Sequence, residues 1–362
     1  MPELPEAERV RRLVERYCVG QKIREINVRE QGGGSRQGLF DDKILVPPKE
    51  GQWTKSLVGK TIQSVERLGK RILLRLSRSR SVVISLGMTG SITVQGVKAL
   101  EYRDFRVRDE TWPPKWTKLE LVCSNDIRCA YTDSRRFGKL EIVPGDPYAN
   151  CDALTKLAPD PLDARSLPSP NEFAEKLRSK RIVLKSALLD QNFVLCGLGN
   201  WLVDDICLEA RIPPNALCST LLQSECFAVL HAAVNICSQA VRANAESSLF
   251  PKEWLFHIRW NAKKKGKSTT LRTTGGNVVR VCDCAGRTTL WVPSLQKRHI
   301  SPQDGASADK SAARISNIAP QNDVTLNSKE KKKARKKAAG HSERPSKRPK
   351  RRRREVTSKY FS

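Results

Sequence analysis

A proline-rich passage between Pro144 and Pro170 divides this chain into two stretches whose apolar residues follow different periods. From about residue 21 to residue 143, β-rich runs are short and separated by turn residues. They are Lys22–Val28, Ile62–Arg67, Arg71–Leu76, Ser81–Leu86, Ser91–Val94, Lys118–Cys123, Ile127–Tyr131 and Lys139–Val143. Strands this dense predict a sandwich or barrel. The Gly- and Pro-rich segment Gly32–Gly51 reads as a loop. Ahead of these strands, residues 5–19 predict a helix: Pro5 suits its first turn, Val10, Leu13, Val14 and Tyr17 share a face, and Gly20 stops it.

Beyond the prolines, residues 171–243 carry helical spacing. Asn171 can cap a helix through Phe173, Leu177 and Lys180. Leu184–Gln191 is a second, short helix, Asn200–Ala210 a third, and Leu221–Ala243 the longest. After Pro251 strand character returns, with Val278–Cys282 and Thr288–Val292 joined by a turn around Gly286. The fold class is therefore α+β: an N-terminal helix and sheet domain over 1–150, a linker over 151–170, helices over 171–250, a hairpin over 251–298 and a tail over 299–362.

The formal charge of +28 points to a polyanionic partner, nucleic acid first. A basic tail on a neutral protein would give the same total, so the location of the charge matters. The last 64 residues hold 18 Lys+Arg against 6 Asp+Glu, which leaves 16 of the 28 charges on residues 1–298. The globular part is basic in its own right.

Eleven scattered cysteines form no C-x-x-C pair, and four histidines do not complete a finger-type ligand set. Cys282 and Cys284 would share one face of a strand. Free, buried thiols in a reducing compartment are the better reading, with no metal expected. The start, MPELPEAERVRR, has no apolar run, and no stretch approaches the roughly 20 apolar residues that span a bilayer. A soluble, intracellular protein is expected.

Chemistry concentrates at the start. Removal of Met1 before the small Pro2 leaves a secondary amine. An α-amino group titrates near about 8, so part of it is neutral and nucleophilic at physiological pH. Glu3 and Glu6 stand beside it and can move protons. Proline and glutamate are also ordinary at a helix start, and spacing by itself leaves both readings open.

The ordered set MPELPE, Lys70 in RLGKRILL, Met88 in LGMTGS, TDSRRFG at 132–138 and LLDQNFVLCGLGN at 188–200 resembles the formamidopyrimidine-DNA glycosylase family over about residues 1–298. The resemblance implies a bifunctional base-excision enzyme acting on damaged double-stranded DNA as a monomer and without a cofactor. In it, Pro2 is the nucleophile, Glu3 the general acid/base with Glu6 in support, and Lys70 a phosphate contact at the reacting sugar. Met88, Arg135 and Phe137 would fill the stack after the damaged nucleotide leaves. Lys185 and Asn200 would meet DNA from a helix-two-turn-helix, with Gly197 and Gly199 letting the backbone approach it. Arg287 would reach DNA from the hairpin.

Two features depart from the bacterial pattern. The hairpin lacks a four-cysteine set, and PKEWLFHIRW with GRTTLWVPSLQK looks like the zincless finger of plant-type members, where Trp254, Phe256 and Trp260 could pack a mini-core. The stretch from Gln239 to Phe250 is short where bacterial members cover the extruded purine, which favours formamidopyrimidines and further oxidised purines over 8-oxoguanine. A non-catalytic DNA sensor of the same fold is the alternative; an RNA-binding role lacks any aromatic motif to support it.

Lys329–Arg354, ending in RPSKRPKRRRR, cannot bury enough apolar surface to fold alone and reads as a disordered arm that attracts DNA and carries the chain into the nucleus. Fused to a fluorescent carrier, this segment is expected to concentrate it in nuclei; a carrier left wholly in the cytoplasm refutes that role.

Overall fold

The computed structural model describes residues 2–98, 101–102, 105–106, 111–261 and 270–297. The predicted disordered tail lies outside the described residues.

Helix α1 (Leu4–Cys18) opens the chain, with Pro5 in its first turn, where a missing N–H breaks no helical bond. Its buried stripe of Ala7, Val10, Val14 and Cys18 packs into the main β core. The strands that follow are β1 (Ile23–Asn27), β2 (Leu45–Val46), β3 (Ile62–Leu68), β4 (Arg71–Leu76), β5 (Arg80–Ser85) and β6 (Ser91–Val94). Next come the small pair β7 (Glu101–Tyr102) and β8 (Phe105–Arg106), then β9 (Thr117–Cys123), β10 (Arg128–Thr132) and β11 (Lys139–Pro144). One sheet runs β1-β9-β10-β6 and the other β2-β11-β5-β4-β3. Alternation sorts each strand. On β4, Ile72, Leu74 and Leu76 enter the main core, while Leu73 joins Val83, Val143, Cys151 and Leu154 in a smaller cluster.

No helix is predicted between Gly51 and Ile62, yet α2 (Glu50–Leu57) lies there. Trp53 and Leu57, four residues apart and fully buried, are the signal that marks it. The proline-rich passage holds two single turns, α3 (Pro147–Asn150) and α4 (Asp152–Thr155). Helix α5 (Pro170–Arg178) is capped by Ser169, not Asn171: Ser169 N–H donates to Glu172 Oε2 at 2.8 Å in a capping box, and Pro170 takes the first helical position.

Helices α6 (Leu184–Leu189), α7 (Asn200–Glu209) and α8 (Gln223–Arg242) pack with α5 around Phe173, Leu177, Leu188, Leu202, Ile206 and Val229. Trp254 and Phe256 join this helical core rather than a mini-core of the hairpin, with ring centroids 6.1 and 5.0 Å from Trp201. The Trp260 side chain lies outside the described residues. The hairpin, β12 (Arg280–Cys284) and β13 (Arg287–Trp291), turns through Ala285 and Gly286, both at positive φ, and packs Leu290 against Leu255 of α9 (Leu255–Asn261). All eleven cysteines are free; ten are buried, and Cys282 is exposed although Cys284, two residues on, is not.

The sheet and helical lobes meet where α1 begins. Leu4 N–H donates to Gly197 O at 3.1 Å, and the Leu4 side chain belongs to the helical core. The glycines expected to let DNA approach serve this joint instead. Gly197 sits at φ 86°, and a Cβ there would lie 2.7 Å from Leu4 Cδ1. A Cβ on Gly199 would lie 2.2 Å from Glu3 Cδ. Gly199→Ala is expected to lower stability by about 1–3 kcal/mol through overpacking. Guanidinium unfolding measures it, and an unchanged midpoint contradicts the packing.

Candidate active site

The β3–β4 turn is only Gly69 and Lys70. Gly69, at φ 56°, donates its N–H to Asp160 Oδ2 at 2.7 Å. Arg67 makes an ion pair with the same carboxylate, so the proline-rich passage grips the turn from outside. This aims Lys70 across the joint, where its Nζ donates to Leu198 O at 2.6 Å. Gln191 holds the same loop: its Nε2 donates to Leu198 O at 2.9 Å and its Oε1 accepts from Gly197 N–H at 3.0 Å.

Glu3 is buried at the start of α7. Its two oxygens accept from Trp201 N–H at 3.1 Å and Leu202 N–H at 3.2 Å. Amides that open a helix have no partner within it, and the dipole there favours negative charge. The expectation that Asn200 leaves this helix end to a phosphate is thereby corrected, since Glu3 occupies two of its amides. Glu3 N–H in turn donates to Glu6 Oε2 at 2.9 Å.

Burial presses each of these groups toward its neutral form. Burial raises the Glu3 carboxyl above its ordinary value, against the pull of Lys70 and the two amides. Burial, then the neighbouring Glu3 charge, pushes Glu6 up to about 7. Burial lowers Lys70, against Glu3 and Glu6. Carboxyls shifted toward physiological pH beside a lysine are suited to moving protons. Above them lies a cavity of about 290 Å³ lined by Pro2, Lys70, Arg71, Ser85, Leu86, Gly87, Met88, Phe137, Leu157 and Gln191. Four of the sequence-predicted residues, Pro2, Lys70, Met88 and Phe137, share that one space.

Met88 and Phe137 are among the exposed large apolar side chains, at 38% and 53%. Their two turns are held by one buried carboxylate. Asp133 Oδ1 accepts from Thr89 Oγ1 at 2.6 Å and Arg135 N–H at 3.1 Å, and Asp133 Oδ2 accepts from Gly138 N–H at 2.7 Å. Arg136 braces the second turn through a forked pair with Asp41, both bonds 2.8 Å. The Arg135 guanidinium stands 5.0 Å from the Phe137 ring centroid, exposed beside it.

Lys185 does not reach the surface. It is fully buried, and its Nζ donates to Asp204 Oδ1 at 2.6 Å, so its expected DNA contact is corrected to an internal ion pair. Asn200 is the first residue of α7 rather than its cap, and its Nδ2 donates to Thr288 O at 3.0 Å. That bond ties α7 to the strand whose first residue, Arg287, is exposed next to the hairpin turn. Asp133, Asp160, Gln191 and Arg71 are site residues that the sequence reading misses. Asp133 and Gln191 lie inside the motifs quoted, but only their partners 44 and 6 residues away show what they do.

A family model for the formamidopyrimidine-DNA glycosylase N-terminal domain matches residues 1–140, and one for the H2TH domain of the same enzymes matches residues 157–252. The chain is 34% identical to the formamidopyrimidine-DNA glycosylase of Arabidopsis thaliana over 313 residues, 86% of this chain and 74% of that one. It is 30% identical to the same-named protein of Cereibacter sphaeroides over 252 residues, 68% of this chain and 81% of that one. The structure of MutM in complex with DNA containing carbocyclic 8-oxo-G matches with a TM-score of 0.64 at 26% identity, covering 82% of this chain and all of that one. Lactococcus lactis formamidopyrimidine-DNA glycosylase, non-covalently bound to DNA with an AP site, matches at 0.61 and 25% identity with the same coverage. Two successive domain matches, and a plant relative identical at a third of the aligned positions, agree with the site just described: this chain belongs to the formamidopyrimidine-DNA glycosylase family.

Proposed function

We infer that this chain is a base-excision repair enzyme, a DNA glycosylase with AP lyase activity whose partner is damaged double-stranded DNA. The observation that carries this reading is the buried Glu3 carboxylate, held by the α7 amides beside Lys70 under a cavity that Pro2 lines.

With Met1 removed, the Pro2 amine attacks C1′ of the damaged nucleotide, and the glycosidic electron pair leaves with the base, which takes up a proton. Glu3 gives a proton to O4′ as the sugar ring opens, leaving an iminium between Pro2 and C1′. Loss of a C2′ proton expels the 3′ phosphate, and a second elimination expels the 5′ phosphate. Water then frees Pro2 from the sugar remnant, and the duplex is left with a one-nucleotide gap. Electrons balance without any oxidant. Glu6 stores a proton next to Glu3, and the Lys70 ammonium steadies the phosphate and the departing negative charge.

Extruding the nucleotide costs a few kcal/mol of lost pairing and stacking. Met88 and Phe137, exposed on turns that Asp133 fixes, are shaped to fill the gap, and Arg135 to pair with the orphaned base. Arg287, exposed beside the hairpin turn, holds the DNA backbone. For the lesion, ring-opened formamidopyrimidines and further oxidised purines are the proposed substrates. Helix α8 ends at Arg242 and Phe250 is already in the core, so only residues 243–249 are left to cover an extruded base, and Arg9 pins Glu246 among them at 3.4 Å. Residues 329–354 serve as the arm for nuclear entry.

Borohydride added to enzyme and oxidised duplex is expected to leave a covalent protein–DNA adduct, weakened by Pro2→Gly. Absence of an adduct with every one of several lesions, while binding persists, favours the non-catalytic sensor. Glu6 supplies a separate check. Its carboxyl binds a proton more tightly folded than unfolded, so its contribution to stability is present near pH 4.5 and is lost as pH rises through about 7. Wild type should therefore lose stability relative to the permanently neutral Glu6→Gln as pH rises from 5 to about 7.5. A difference independent of pH contradicts the assigned shift.

A further inference from the structure

The hairpin that carries Arg287 is poorly provided with core. Arg280, Val281, Cys282 and Asp283 of β12 are exposed, and β13 buries Thr289 and Leu290. A two-stranded hairpin is marginal by itself in water; Cys284 is buried and Leu290 packs with Val279, Val292 and Leu255, and a polar anchor adds to this small cluster. One carboxylate on α7 supplies it. Asp204 is 1% exposed. Its Oδ1 accepts from Lys185 Nζ of α6 at 2.6 Å. Its Oδ2 pairs with Arg259 Nη2 of α9 at 2.8 Å and accepts from Leu290 N–H of β13 at 3.0 Å. The donors gathered by Asp204 then close on the hairpin a second time. Thr288 O accepts from Arg259 Nη2 at 2.8 Å, from Asn200 Nδ2 at 3.0 Å and from Lys185 Nζ at 3.4 Å. Both backbone bonds fall within three residues of Arg287, on the strand that begins with it.

We propose that Asp204 is a positioning residue for DNA binding: it gathers Lys185 and Arg259 into a cluster that fixes β13, and so sets Arg287 and Asn200 in one frame. This rests on the reading that Arg287 contacts DNA. The cluster explains why a lysine from the helix-two-turn-helix is buried, and why α9 turns an arginine inward toward the hairpin. Its specificity is geometric. Arg259 closes on Thr288 O with both guanidinium nitrogens, Nη1 at 3.3 Å and Nη2 at 2.8 Å, while Nη2 also pairs with Asp204, a fork that the single nitrogen of a lysine does not reproduce.

The test is a double-mutant cycle on binding to a duplex containing a tetrahydrofuran abasic analogue, with Asp204→Asn, Arg287→Ala and the pair. Each single change should weaken binding about tenfold, and the pair no more than about threefold beyond Arg287→Ala. Independent losses that multiply to about a hundredfold would overturn the proposal. Amide exchange over residues 280–291 should accelerate in Asp204→Asn while α8 keeps its protection; unchanged exchange in the hairpin also overturns it. Should Asp204→Asn fail to fold, Arg259→Lys, which keeps the charge and loses the fork, is read by the same cycle and the same exchange. An Arg287→Ala protein that binds normally removes Arg287 from the DNA contacts, and the exchange measurement then decides for Asp204 by itself.

Discussion

Glu3 and the opening amides of α7 are separated by 198 residues of chain, and their hydrogen bonds bring Pro2 to a cavity. A carboxylate with 2% exposure is tolerable only when something replaces its water. Two helix-opening amides do so, with the Lys70 charge favouring the ionised form, and those amides have no partner within α7. The bond therefore satisfies both sides at once. It also closes distance: Gly197 and Gly199 carry no Cβ because Leu4 and Glu3 stand where one would go. Pro2, one residue before Glu3, has little choice but to line the cavity between the lobes.

The same device recurs wherever a loop carries a residue of the site. Turn backbone lacks the ladder partners of a strand, so its N–H groups need acceptors from elsewhere. Asp160 supplies one to the turn of Lys70, and Asp133 one to each of two amides in the turn of Arg135 and Phe137. Asp133 reaches across to Thr89 as well, so the Met88 turn and the Phe137 turn are held as one body. Preorganisation of this kind matters because misplacing a reacting group by about 1 Å costs as much as a hundredfold in rate.

How the residues sit explains what was legible beforehand. The sandwich strands show as short β-rich runs between turns, and alternation then sends Ile72, Leu74 and Leu76 to the main core and Leu73 to the opposite face. Helix α8 shows because Cys226, Val229, Leu230 and Ala233 recur at helical spacing. Ends and short elements are harder: Ser169 and Asn171 are both good caps, and only the capping box with Glu172 selects the first. Lys185 misleads for another reason. A lysine in a basic DNA-binding segment reads as exposed, and nothing local announces that Asp204, 19 residues on, will bury it.

From the residues in order come the α+β class, the two periods divided by prolines, the basic globular part, and the family to which the motifs belong. Those properties are local, or sums over the chain, and survive without knowledge of what packs against what. Tertiary structure decided which motif residues line the cavity and which are consumed internally. Pro2, Lys70, Met88 and Phe137 gather at one cavity, while Lys185 and the two glycines of the α7 turn are used to hold the protein to itself. The physical reason is that a charge, an amide or a missing Cβ has no fixed role in a sequence. It takes one only when folding removes water and leaves a single partner within reach.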